Sequence, residues 1–401
     1  MRKQKHGVTQ WQVDKAWAGY TIFCPQMISP KQLEGRKESY VYLLDMKGDI
    51  VHHWVIPGIV KLHGELLPNG NLLCSVDEKH VKNPLGLVFA VSSIMELDWD
   101  SNVVWRYEDP YHDCHDRCRL RNGNTLYMRY VPLTPEKQAK VQGGMPGTEH
   151  NGQMFTLVLT EVTMDGQIVD EMDLSDVLDP AADIITPYGT RELWPGLNSI
   201  EEMPDGKIVS TSYNLSTCYV WDRENKKVAW RYGQGEHKIS FPHDPQPLKN
   251  GHIMLFDNGR YYAPDPNGQT NYFPPDFSRV IEIDPETNET VWEYRAENPV
   301  DFYSTYISSN QRLANGNTLI CEGATGRIFE VTQSGEIVWE YVSPIYTQTG
   351  MRFGKTSAIF RAIRYGFDYP GLAGKVFDDA KNDSINRLYG AKAMTFANEL
   401  N

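Results

Sequence analysis

Nowhere does this 401-residue chain string together the roughly 18 to 20 apolar residues that a membrane-crossing helix needs, so a helical span is excluded. It also lacks basic surplus. Against 39 lysines and arginines stand 52 aspartates and glutamates, a formal charge of -13, which removes the positive footprint on which non-specific nucleic-acid binding depends. The six cysteines, Cys24, Cys74, Cys114, Cys118, Cys218 and Cys321, are too few and too scattered for a disulfide scaffold. The basic opening Met1–Gly7 leads into Gln10, Trp11, Gln12 and Asp14 rather than an apolar segment, and the expectation is a cytoplasmic protein, or a periplasmic one if a leader has been lost. No Walker A loop, Rossmann fingerprint or Gly-x-Ser-x-Gly elbow is present.

What the chain does have is repetition. A polar turn, a β-branched pair and an aromatic recur in Gly48-Asp49-Ile50-Val51-His52-His53-Trp54, Ser101-Asn102-Val103-Val104-Trp105, Lys226-Lys227-Val228-Ala229-Trp230, Asn288-Glu289-Thr290-Val291-Trp292 and Gly335-Glu336-Ile337-Val338-Trp339. Gly166-Gln167-Ile168-Val169, with Met172 in the aromatic position, makes a sixth copy, and the copies follow one another at 47 to 67 residues. Between them lies a second motif, Leu67-Pro68-Asn69-Gly70, Leu120-Arg121-Asn122-Gly123, Met203-Pro204-Asp205-Gly206, Leu248-Lys249-Asn250-Gly251 and Leu313-Ala314-Asn315-Gly316. Asn-Gly and Asp-Gly are hairpin signals. Each unit therefore predicts four short antiparallel strands, and six such units predict an all-β fold, a six-bladed β-propeller over residues 19–345. Residues 1–18 form an N-terminal extension, Gly19–Phe23 is expected to close the ring onto the last blade, and residues 131–156 read as an insertion over one face. Ala358, Ile359, Ala362 and Ile363 at helical spacing, with a helix-compatible stretch from Asp383 to Asn401, predict that residues 346–401 are a mostly helical tail, packed on the propeller or in a homodimer contact.

Counting back seven residues from each turn Asn or Asp lands on His115, Asn198, His243 and Ser308, and one residue closer in the first unit on His63. The inner strands of a propeller line its channel, so a fixed offset brings these side chains to one height around it. The repeated pairs His115-Asp116 and His243-Asp244 mark the two histidines as the leading catalytic candidates, with His63 beside them. The following strands add Asn258 and Arg260 in the fifth unit and Glu322 in the sixth. Arg260 offers a planar, permanently charged donor array for sulfate, phosphate or carboxylate. Cys114-x3-Cys118 lacks the second pair that a zinc site requires.

Gly19-Tyr20-Thr21-Ile22-Phe23 with Tyr42-Leu43-Leu44-Asp45, His243-Asp244-x-Gln246 with Phe256-Asp257-Asn258-Gly259, and Gln311-Arg312-Leu313-x-Asn315-Gly316-Asn317 together resemble the arylsulfotransferase family of six-bladed propellers, over about residues 19–345. The resemblance implies transfer of a sulfuryl group from one phenolic sulfate to another phenol through a sulfo-histidine, with no phosphate cofactor. By position His115, His243 and Arg260 match. The last-unit slot, where that family carries the histidine that takes the sulfuryl group, holds Ser308 here, so that the covalent role falls to His243 or His115, or the chemistry on the scaffold differs.

Three functions fit these residues. The first is sulfuryl transfer, with no cofactor, on a small anionic aromatic substrate. The second is a lyase or hydrolase acting on such a molecule, with a metal ion held by His63, His115 and His243 as an alternative use of the three imidazoles. The third is a non-enzymatic propeller that binds a partner over one face. The aromatic segments Phe302–Tyr306 and Tyr261-Tyr262 would serve any of them.

Overall fold

The computed structural model describes residues 5–25, 38–78, 84–233, 238–260, 277–348 and 354–399; Tyr261-Tyr262 lie outside them. The fold is all-β and propeller-like, and among the described residues no helix is long and apolar enough to cross a membrane. Two compact units divide the chain. Met1–Lys82, Val91–Asp109 and Ile307–Asn401 form one, and Asn83–Ala90 with Pro110–Tyr306 the other.

In the first unit, Ile359–Gly366, Gly19–Pro25, Ser39–Leu44 and Ile50–Ile56 make one four-stranded antiparallel sheet. Ser309–Arg312, Thr318–Glu322, Arg327–Val331 and Ile337–Val342 make another, to which Gly7–Trp11 adds a fifth strand. The second unit holds the sheets Leu197–Glu202 to Lys227–Tyr232 and His243–Pro247 to Glu289–Tyr294. These four sheets stand separately. The remaining repeats do not, because they share the 17-residue strand Val103–Arg119, whose residues from His112 onward pair with Thr125–Pro132. Six repeats in the sequence thus give four separate blades and one seven-stranded run.

Two expectations are corrected here. Gly19–Phe23 pairs with Ile359–Gly366 and Ser39–Leu44, not with the last repeat; the segment that extends that repeat is Gly7–Trp11 on Ile337–Val342. The stretch around Ala358–Ile363 is a strand rather than a helix. Six of the eight residues in Ile359–Gly366 are buried, so its apolar positions do not alternate and fit helical spacing by coincidence. Helix in the tail is confined mainly to Asp379–Tyr389 and Ala391–Glu399.

The hairpins follow one plan. At Gly70, Gly123, Gly206, Gly251 and Gly316 φ lies between 85° and 89°, and each glycine N–H donates to the residue three before it. The preceding Asn or Asp keeps a negative φ, so these are three-residue loops with one left-handed glycine, not two-residue turns. A glutamate on the third strand fastens most of them. Glu96 accepts from Asn69 and Asn71, Glu161 from Asn122 and Asn124, Glu282 from Asn250 and His252, and Glu330 from Asn317.

Glu330 also anchors the C-terminal strand. Its second carboxylate oxygen takes Arg364 Nη1 at 2.5 Å, and both side chains are fully buried. Arg364 lies over the Trp339 ring at 4.3 Å, and burial pulls its pKa down to about 10 despite the charge of Glu330. Removing one partner would strand a charge in the interior, so Glu330→Ala should lower unfolding free energy by about 3–5 kcal/mol, read by urea titration. A loss below about 1 kcal/mol would show that this contact does not hold the strand.

The helix Asp379–Tyr389 packs on Ile50–Ile56, where His53 Nδ1 lies 2.7 Å from Asn382 Oδ1 and Asn386 meets both backbone groups of Ile50. His52 stacks on Trp99 at 3.7 Å and stands edge-on to Trp54. Burial first, then the charges of Lys381, His53 and Lys375, lower its pKa from 6.5 to about 3. The unfolded chain therefore binds the proton first, and stability falls as pH drops below about 6.5. Between pH 7 and 5.5 the melting temperature of the wild type should fall more than that of His52→Phe; equal slopes would contradict this origin.

Candidate functional site

Each slot residue sits where an inner strand departs from regular pairing. Asp113 faces Met128 and Arg117 faces Tyr127, so that Cys114, His115 and Asp116 are inserted between two successive rungs. Leu62 and His63 are inserted in the same way between the rungs of Lys61 and Gly64, and Asn198 between those of Leu197 and Ser199. His243 opens the bulge that ends at Gln246, and Ser308 directly precedes the ladder that begins at Ser309. Bulges re-aim side chains that a regular strand would send across its pleat. The cost is visible in the backbone. Leu62, Asp244, Ile307 and Ser308 all take positive φ without being glycine.

In the second unit His115 is nearly buried, between the rings of Phe89 at 4.5 Å and Tyr213 at 6.4 Å. Its Nδ1 lies 2.5 Å from Asp113 Oδ1, which also accepts the His115 backbone N–H at 2.9 Å. The carboxylate holds a proton on Nδ1, so that Nε2 is the nitrogen that takes up and gives off a second one. Burial, and after it the nearby Asp113 charge, push the hydroxyls of Tyr130 and Tyr213 well above the usual tyrosine range.

His243 is oriented differently. Its Nδ1 lies 2.7 Å from Asn258 Oδ1 and 3.2 Å from the Phe241 carbonyl, both acceptors. The Asn258 amide is itself fixed, because its Nδ2 donates to the Ser304 carbonyl at 2.7 Å. His243 therefore also carries its proton on Nδ1, but against a neutral amide. Arg260 lies over the Phe241 ring at 5.3 Å, two residues before His243, and its carbonyl accepts from Ser240 Oγ.

Asn198 is tied to the backbone next to His243 and to its own sheet. Its Nδ2 donates to the Pro242 carbonyl at 2.8 Å and its Oδ1 accepts from Thr211, leaving the amide engaged within the protein. Asp116 accepts the Ile200 N–H at 3.0 Å. The aspartate that meets the His115 ring is thus the one two residues before it, not the one that follows, and Asp116 serves the backbone of Arg117 and Ile200.

In the first unit, the His63 ring stacks on Phe360 at 5.7 Å and 12°. The Phe360 carbonyl accepts the Ser308 N–H at 3.2 Å, and Ser308 Oγ accepts from Gly323 N–H at 3.0 Å. Glu322 pairs with Arg327 at 3.0 Å. Among the described residues no group of three or more histidine, cysteine, aspartate or glutamate side chains is arranged to hold a metal ion, so the geometry lends no support to His63, His115 and His243 as a metal set. Phe302 is core rather than loop: it packs on Phe256 and Tyr294 at 5.6 and 5.5 Å.

Sequence reasoning missed Asp113, Phe89, Tyr213, Asn258's role as an orienting amide, and the pair Glu192 and His150, 3.5 Å apart. No strand periodicity announces Asp113, because His115 lies in the bulge between the rungs of Asp113 and Arg117.

A family model described as Arylsulfotransferase (ASST) matches residues 63–344. None of the curated proteins compared matches the chain. Among solved structures, a protein of unknown function from Bacteroides caccae is 12% identical, with a TM-score of 0.50 over 81% of this chain and 94% of that one. A streptogramin B lyase (12% identity, TM-score 0.45, 89% and 97% covered) and virginiamycin B lyase from Staphylococcus aureus (14%, 0.39, 76% and 83%) are more distant in shape.

Proposed function

The chain belongs to the arylsulfotransferase family, and from that premise we propose that it moves a sulfuryl group from an aryl sulfate to a phenol, with His243 as the residue that carries the group. The observation that supports this reading is the difference between the partners of the two histidines. A neutral amide at Nδ1, as on His243, holds the tautomer that leaves the Nε2 lone pair available for attack. A carboxylate at Nδ1, as on His115, holds the ring so that Nε2 is the nitrogen set for proton exchange, which suits an acid–base role.

In the first half-reaction His243 Nε2 attacks sulfur, the N–S bond forms as the S–O bond to the aryl group breaks, and His115 gives its Nε2 proton to the departing phenoxide. In the second, the acceptor phenol returns a proton to His115 Nε2 while its oxygen takes the sulfuryl group from His243. Protons balance over the cycle. Arg260, two residues beyond the orienting Asn258, would neutralise charge on the sulfuryl oxygens as they pass between the two oxygens. The same reading takes the six repeats as six blades, the second and third sharing Val103–Arg119.

Steady-state kinetics on aryl sulfates test the assignment. His243→Ala should lose at least about 10³-fold in kcat, whereas Arg260→Ala should lower kcat by less and also raise donor KM. A folded His243→Ala with wild-type turnover would overturn it and turn attention to Ser308 or His63.

A further inference from the structure

The segment Phe302–Tyr306, which the sequence singles out for its aromatics, is bound into the second unit beside His243. Phe302 is fully buried on Phe256 and Tyr294, and its carbonyl accepts the Ser278 N–H at 3.2 Å. Two residues on, the Ser304 N–H donates to Ser278 Oγ at 2.9 Å, while Ser304 Oγ donates to the Tyr306 carbonyl at 3.0 Å. Ser278, at the entry to the strand Arg279–Asp284, therefore grips the segment with both its backbone and its hydroxyl. The hydroxyl proton goes to the Asn258 carbonyl at 2.9 Å, with the Ser304 carbonyl at 3.3 Å as a more distant second acceptor.

A closed ring of hydrogen bonds results. Asn258 Nδ2 donates to the Ser304 carbonyl at 2.7 Å, the Ser304 N–H to Ser278, and the Ser278 hydroxyl to the main chain of Asn258. All three residues are fully buried, so bulk water does not compete for these groups. A carbonyl oxygen can only accept, which forces the Asn258 amide nitrogen toward Ser304 and its Oδ1 toward His243 Nδ1, 2.7 Å away. An amide turned the other way would set Oδ1 against the Ser304 carbonyl, acceptor to acceptor, and present a donor to Nδ1. The ring proton would then move to Nε2, the nitrogen that has to attack. The Phe241 carbonyl supports the Nδ1–H form as well, at the longer distance of 3.2 Å.

We propose that Ser278 is a positioning residue for His243: its hydroxyl joins the Ser304 N–H to the Asn258 carbonyl, keeps the Asn258 amide in the orientation that leaves the His243 lone pair on Nε2, and so sets the fraction of molecules able to accept a sulfuryl group. The consequence for turnover rests on the transferase reading above, whereas the tautomer does not. Fully buried, Ser278 makes and breaks no bond in the cycle. Its loss should lower kcat in proportion to the tautomer it unsettles and leave donor binding as it is.

Ring-nitrogen NMR on protein isotope-labelled at its histidines reads the tautomer without any turnover, with His243 assigned by the signals lost in His243→Gln. In the wild type the proton should sit on Nδ1. Ser278→Ala should raise the share of the Nε2–H form severalfold, and its kcat on an aryl sulfate should fall severalfold while donor KM stays at the wild-type value. Ser278→Cys, which keeps the side chain's shape but donates only weakly, should shift both in the same direction and decides the matter if the alanine variant does not fold. A wild-type proton on Nε2, or a folded variant whose His243 tautomer matches the wild type, would overturn the proposal. A fall in kcat with an unchanged tautomer would do the same, as the mark of a merely structural role. Failure of the wild type to transfer a sulfuryl group to any phenol would instead overturn the transferase reading, with the NMR spectra still deciding the role of Ser278.

Discussion

Residues inserted between the rungs of the inner strands set the chemistry of this molecule. A regular strand sends successive side chains to opposite faces, so that a residue's place in the alternation alone sets its aim. The three residues inserted at Cys114–Asp116 bring the His115 ring back onto Asp113 and release Asp116 to bind the Ile200 N–H. The bulge after His243 does the equivalent with Asn258. Non-glycine residues at positive φ, such as Leu62, Asp244 and Ser308, cost on the order of 1–3 kcal/mol each. Such strain persists only where the surroundings over-determine it, and here the glutamate-fastened hairpins downstream of His63, His115, His243 and Ser308 hold those strands in register.

From that constraint follows a division of labour that composition alone could not assign. Two histidines at the same offset from their turns share a tautomer but not an electrostatic setting. One meets a carboxylate and the other an amide locked by a main-chain carbonyl. Asn198, between them in the chain, spends its amide on Pro242 and Thr211, and so belongs to the framework that spaces the histidines rather than to the groups that meet a substrate. Glu322 is likewise engaged by Arg327.

Much of the repeat was legible because its signals are local. Asn-Gly and Asp-Gly turns require a left-handed glycine wherever they fall, and the residues seven before them are carried along by strand geometry. What escaped was long-range or lay off the regular pattern. Ile359–Gly366 pairs with a strand more than 300 residues earlier, and burial on both faces erases the alternation that would have identified it. The shared strand Val103–Arg119 contains Pro110 and no turn signal, yet its two halves read as parts of separate repeats. The recurring His-Asp pair marks His115 in the sequence, but Asp116 is not the residue that meets its ring. A bulge, which no periodicity announces, hands that role to Asp113. His150 lies on an insertion, and Glu192 on the segment before Leu197, and neither stretch carries the turn motif of the repeat.

Intact-mass measurement after incubation with an aryl sulfate and no acceptor reaches the centre of this account. The expected result is a single sulfuryl adduct located on His243 by peptide mapping, absent from His243→Ala, still formed in His115→Ala from a donor with a stable anionic leaving group, and discharged on adding a phenol. An adduct on another residue, or turnover that survives intact in His243→Ala, would contradict it.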